Sequence, residues 1–87
     1  MKQFTYTIQD PLGIHARPAG LLAKLAKSYG PDTAATITKG EKTIKLSQLM
    51  MLMGLAVKKG TEVTVQVEGP QEEEACAALL AFFQENL

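Results

Sequence analysis

His15 is the only histidine in the chain, and Arg17 and Pro18 follow it closely. A neutral imidazole is a nucleophile, and a guanidinium two residues on can hold the oxygens of a phosphoryl group. Pro11 and Gly13 punctuate the chain just before the histidine. Pro18 fits a helix only in its first turn, where the missing N–H costs nothing. Apolar residues recur at helical spacing from there on, so a helix is expected from about Ala16 to Lys27. His15 then belongs at or next to the N-cap, with Ala16, Arg17 and Pro18 as the opening residues. A helix start presents unpaired N–H groups and the positive end of the dipole, a seat for phosphate. The chemistry these parts suit is phosphoryl transfer: the imidazole attacks phosphorus while amides and Arg17 hold the oxygens. Residue types alone leave a second reading open, that of a polar loop histidine with no chemical role.

The elements that must position this stretch belong to one small domain spanning residues 1–87. A chain of this length buries only about 60% of its unfolded surface, enough for one core. Nine basic residues balance nine acidic ones, which argues against a sequence-independent nucleic-acid binder. The single cysteine rules out an intramolecular disulfide and suits a reducing cytosol. Residues 1–8 read as too short and too polar for a signal peptide, and no apolar run is long enough to span a bilayer. A cytoplasmic protein without membrane insertion is therefore expected, with monomer as the default state.

Pro11-Leu12-Gly13-Ile14-His15-Ala16-Arg17-Pro18-Ala19 resembles the active-site segment of the HPr family, the histidine-containing phosphocarriers of the bacterial sugar phosphotransferase system. Length and element order agree with that family over nearly the whole chain. The resemblance implies that His15 takes phosphate from phosphoenolpyruvate by way of enzyme I and passes it to sugar-specific IIA proteins or domains. It makes Arg17 the phosphate-binding partner of His15, with Ala16 and Pro18 beside it. The chain would be a carrier rather than an enzyme with its own turnover. There is no metal motif and no Walker-type glycine loop, so no cofactor is expected.

Along the chain, Phe4, Tyr6 and Ile8 alternate with threonines and predict a strand over residues 2–8. Residues 33–38 lean towards β-structure, Lys39-Gly40-Glu41 reads as a hairpin turn, and Thr43 to Leu46 returns antiparallel. Thr61 to Val67 alternates strictly, with Val63, Val65 and Val67 facing in. A last helix is predicted from about Gln71 to Gln84, with Glu72, Glu73 and Glu74 favouring its N-terminal dipole. Cys76, Leu79, Leu80 and Phe83 fall on one stripe of it, which makes Cys76 a small core residue rather than a catalytic thiol. In the first helix Ala19, Leu22, Ala23, Leu25, Ala26 and Tyr29 form the apolar face, Leu21 lies at its edge, and Gly20 is read as allowing close packing.

Ser47 suits an N-cap, so a short helix is expected over residues 47–53. Its methionines and leucines are too many for one buried face, so Leu49, Met50 and Met53 are assigned to a partner-binding surface. Core packing of Leu49, Leu52 and Met53 is the alternative. The resemblance implies docking of enzyme I and IIA partners on this helix. In Gram-positive relatives it also implies a serine at its start, phosphorylated by a dedicated kinase for catabolite control through a transcriptional regulator. Aligning on Gly54–Gly60 puts Gln48 at that position, whereas aligning on Gly40 puts Ser47 there. Ser47 is thus either a regulatory phosphosite or a plain cap. An HPr-like regulatory module acting only by protein contact is the alternative function.

The order β-α-β-β-α-β-α predicts an α+β open-faced sandwich. The resemblance implies an antiparallel sheet in the order 1-4-2-3 with three helices on one face.

Overall fold

The computed structural model describes residues 1–11, 16–29, 32–48 and 58–87. Their elements are β1 (Lys2–Thr7), α1 (Ala16–Ser28), β2 (Ala34–Lys39), β3 (Lys42–Lys45), β4 (Glu62–Glu68) and α2 (Glu72–Asn86). The strands form one antiparallel sheet in the order β1-β4-β2-β3. This is the sheet that the family resemblance implied.

Period-two alternation decides which side of the sheet is buried. One inner row runs Phe4, Val65, Ile37 and Ile44 across all four strands. Val63, Val65, Val67 and Ile37 are fully buried, together with Ile8 and Leu46. The outer face carries the intervening polar residues. Thr5, Thr64, Thr38 and Thr43 form a row from edge to edge. The Thr38 and Thr43 hydroxyls share a hydrogen bond of 2.8 Å, and Gln66 Nε2 donates to Gln3 Oε1 at 3.1 Å. No described helix covers this face, as an antiparallel sheet with one wetted side allows.

Both described helices close the other face. Ala19, Leu22, Ala23 and Ala26 of α1 meet Ala75, Leu79 and Phe83 of α2 in one core with the sheet residues. Small alanines let α1 come close, and the larger Leu22, Leu79 and Phe83 fill the space between helices and sheet. Full burial of a side chain such as Leu79 is worth about 1.5–3 kcal/mol. Phe83 makes T-shaped contacts with two β1 rings, with centroids 5.5 Å from Phe4 and 5.6 Å from Tyr6.

Several local expectations need correction. The buried line of α2 is Ala75, Leu79 and Phe83, spaced by four. Cys76 sits on its flank, only half-buried. A Cβ added at Gly20 would meet nothing within 4 Å, so close packing against described residues does not explain that glycine. The last turn of α1 closes on its own serine, because Ser28 Oγ donates to Leu25 O at 2.6 Å. Gly40, at φ +60°, supplies the left-handed position of the two-residue β2–β3 turn. Two helices lie among the described residues. Most of the helix expected over residues 47–53, from 49 onwards, falls outside them. Ser47 lies in a turn after β3, where Gln48 N–H donates to Lys45 O at 3.1 Å.

Candidate phosphoryl site at the start of the first helix

α1 begins at Ala16, the residue directly after His15 in the sequence, and the helix carries Arg17 and Pro18 in its first turn. The first four N–H groups of a helix have no partner within it, and proline removes one of these without leaving an acceptor unpaired. Pro18 is buried, so its ring fixes the helix start from the core side. Arg17 is exposed. His15 itself lies outside the described residues, as do Leu49, Met50 and Met53.

Arg17 borders a cleft of about 300 Å³ with Pro18 and Leu21 of its own helix, Asp10 from the chain leaving β1, and Asn86 from the end of α2. Three parts of the chain thus meet beside the guanidinium. The β1 exit is held from two sides. Ile8 N–H donates to Thr61 O at 3.0 Å, and Gly60 N–H donates to Ile8 O at 2.8 Å. Gln9 N–H and Asp10 N–H then both donate to Leu87 O, at 2.5 and 2.7 Å.

The outward side of α1 was underestimated in the sequence. Leu21 is 47% exposed and lies one turn after Arg17, with exposed Lys24 following. Residues at i, i+4 and i+7 share one helix face, so an apolar side chain stands between two cations. α1 carries no acidic residue at all. The meeting of Asp10 and Asn86 beside Arg17 was not foreseen either; it joins the first and last quarters of the chain, and no local pattern announces it.

Ser47 is half-buried on a separate cleft of about 430 Å³, beside Lys27, Thr33 and Lys45. Cys76 is far from the histidine in sequence and is no activated thiol. Burial pushes its pKa up, and the Lys2 ammonium only partly opposes this. Among the described residues no group of three His, Cys, Asp or Glu side chains could hold a metal ion. No described helix is long and apolar enough to cross a membrane.

Comparison with known proteins agrees with this architecture. Residues 2–85 match the family model described as the PTS HPr component phosphorylation site. The chain is 40% identical over 85 residues to the phosphocarrier protein HPr of Lysinibacillus sphaericus, covering 98% of this chain and 94% of that protein. Its fold superposes on the histidine-containing phosphocarrier protein of a Mycoplasma with a TM-score of 0.91 at 36% identity, covering 97% and 93% of the two chains. An HPr from Thermoanaerobacter tengcongensis gives a TM-score of 0.90 at 33% identity, covering 98% of this chain and 93% of the other. A full-length match in sequence and the same strand order, with a helix opening one residue after the lone histidine, lead to one assignment: this chain belongs to the HPr family of phosphocarrier proteins of the phosphotransferase system.

Proposed function

We propose that this chain accepts a phosphoryl group on His15 from enzyme I and passes it to sugar-specific IIA proteins or domains. The observation that supports this most is the start of α1 at Ala16, with Arg17 exposed in its first turn. A ring nitrogen of neutral His15 attacks phosphorus in line. A new N–P bond forms as the donor's bond to phosphorus breaks, and the electron pair of that bond leaves with the donor. The second transfer reverses the roles, with the acceptor attacking and His15 leaving. Little covalent chemistry is asked of the carrier beyond its ring. Positioning and charge stabilisation carry the rest, through the Arg17 guanidinium and the backbone N–H of Ala16 and Arg17. Pro18 contributes by fixing the helix start.

Partner proteins supply the other half of the site. In addition to Leu49, Met50 and Met53, the outward face of α1, with exposed Leu21 between Arg17 and Lys24, serves partner docking. Its complement is a partner with an apolar recess rimmed by carboxylates. The carrier works in the cytosol as a monomer. Ser47 is retained as a candidate regulatory phosphosite. Treatment with the family's serine kinase and mass spectrometry of Ser47 decides that point, and an unmodified Ser47 removes it.

The test of the carrier role is a two-step labelling. Enzyme I with labelled phosphoenolpyruvate should place an acid-labile phosphate on the protein, and a IIA protein should then remove it. Label that enters but cannot be chased to any IIA protein would leave a regulatory phosphoprotein instead.

A further inference from the structure

We propose that the cleft between the last turn of α1 and the start of β2 binds a phosphate dianion, free or as the head of a small ester. Unequal strand lengths open this cleft. β3 ends at Lys45, which pairs with Thr36, while β2 begins at Ala34, ahead of that pair. Leu46 N–H still reaches Ala35 O at 3.0 Å, and the chain then turns away, with Gln48 N–H donating to Lys45 O at 3.1 Å. The edge of β2 at Ala34 is thus left without a ladder partner in β3. Ala26 and Lys27, in the last turn of α1, form the other wall. The alanines on these walls carry too little volume to close the gap, and about 430 Å³ remains.

Lys27 lines the cleft from the helix and Lys45 from the sheet, and the half-buried Ser47 adds a hydroxyl. Among the described residues neither lysine has an ion-pair partner; the ion pairs there join Met1 to Glu72 and Lys2 to Glu73. Asp32 precedes Thr33, and Glu68 faces Ala34 in register, yet neither carboxylate pairs with Lys27 or Lys45. Two unpaired ammonium groups on one walled cleft concentrate positive potential inside it. A phosphate dianion answers that charge, and its oxygens can accept from both ammonium groups and the hydroxyl in charge-assisted hydrogen bonds. The alanine side chains leave an apolar floor for the carbons of an ester. Lys27 also complements the negative end of the helix dipole. Lys45 lies on a strand and has no such task. The site is separate from the phosphoryl chemistry proposed above: Arg17 and Lys27 stand at opposite ends of α1, about 15 Å apart along an axis that rises about 1.5 Å per residue.

Amide NMR titrations of the full chain at constant ionic strength test this, with inorganic phosphate, glycerol 3-phosphate and uncharged glycerol as probes. Either phosphate should give saturating shifts at Lys27, Ala34, Ala35, Lys45 and Ser47, and glycerol none. The tighter of the two names the source, free phosphate or an ester. Lys27→Gln with Lys45→Gln should weaken binding by about tenfold or more. Lys58→Gln with Lys59→Gln removes the same net charge from the turn before β4, at the opposite end of that strand from Glu68, and should bind as the wild type does. Shifts that do not saturate, shifts confined to the start of α1, or equal weakening in the two double variants overturn the site. All four lysines are exposed, so folding should survive. If the cleft double variant does not fold, Lys45→Gln decides alone, and wild-type binding there overturns the site. Failure of His15 to accept phosphate from enzyme I would strike the carrier reading and leave these titrations unchanged.

Discussion

Gly69 lies against Thr33 so closely that a Cβ on the glycine would sit 2.5 Å from Thr33 Cα and 2.8 Å from Thr33 Oγ1. That hydroxyl already accepts the N–H of Gln71 at 3.2 Å, and Thr33 is only 6% exposed. Gly69 also has φ +144°, a backbone conformation that side-chain-bearing residues avoid. The turn from β4 into α2 is thereby locked against the entry to β2. Gly69→Ala should destabilise the domain by about 1–3 kcal/mol from backbone strain, before any cost of the clash. At about 4–8 °C per kcal/mol for a domain this size, calorimetry reads this as a clear drop in Tm. An unchanged Tm would mean the two segments part at little cost.

Arg17 is exposed, so its removal should leave folding alone. Arg17→Ala should shift stability by no more than about 0.5 kcal/mol, while phosphoryl transfer slows by about 10²-fold. Thermal melting and single-turnover labelling, run on the same sample, check both halves. A large fall in Tm would assign Arg17 a structural task.

The α1 face predicts a salt-sensitive contact. Leu21→Asp should weaken enzyme I binding by about tenfold or more, since an apolar anchor is replaced by a charge facing carboxylates. Lys24→Glu should act mainly on the association rate and lose its effect in high salt. Met50→Asp is expected to weaken the same binding. Titration calorimetry at two ionic strengths reads all three, and unchanged affinity would return Leu21 or Met50 to incidental exposure.

Burial raises the Cys76 pKa above the ordinary thiol value of 9.0. The unfolded chain then releases this proton first as the pH rises. The stability contribution is complete below 9.0 and is lost as the pH climbs towards the raised folded value. Urea unfolding at increasing alkaline pH should show the wild type losing stability faster than Cys76→Ala. Thiol alkylation at mildly alkaline pH should also be slower in the folded protein than in urea. Parallel stability curves for the two proteins would contradict this.

Much of the fold was legible because it rests on short-range patterns. Alternating valines from Val63 to Val67 give β4 and its buried side directly. The helix opening at Ala16 follows from Pro18 and the apolar spacing behind it. The less legible features are those in which distant backbone segments meet. Ala75 rather than Cys76 lies on the buried line of α2 because the sheet edge, not the helix's own hydrophobicity, chooses the side that packs. Leu87 O meets Gln9 and Asp10 through main-chain atoms alone, and a sequence carries no sign of such bonds. Leu21 looked like the margin of a buried face, and only the packed helix shows how far it projects.

The central claim is that His15 carries the phosphate. Incubation with enzyme I and phosphoenolpyruvate, followed by intact-mass measurement under alkaline conditions, tests it directly. The wild type should gain one phosphoryl group that is lost in acid, and His15→Ala should gain none. A phosphoryl group retained by His15→Ala, or absent from the wild type, would contradict the account.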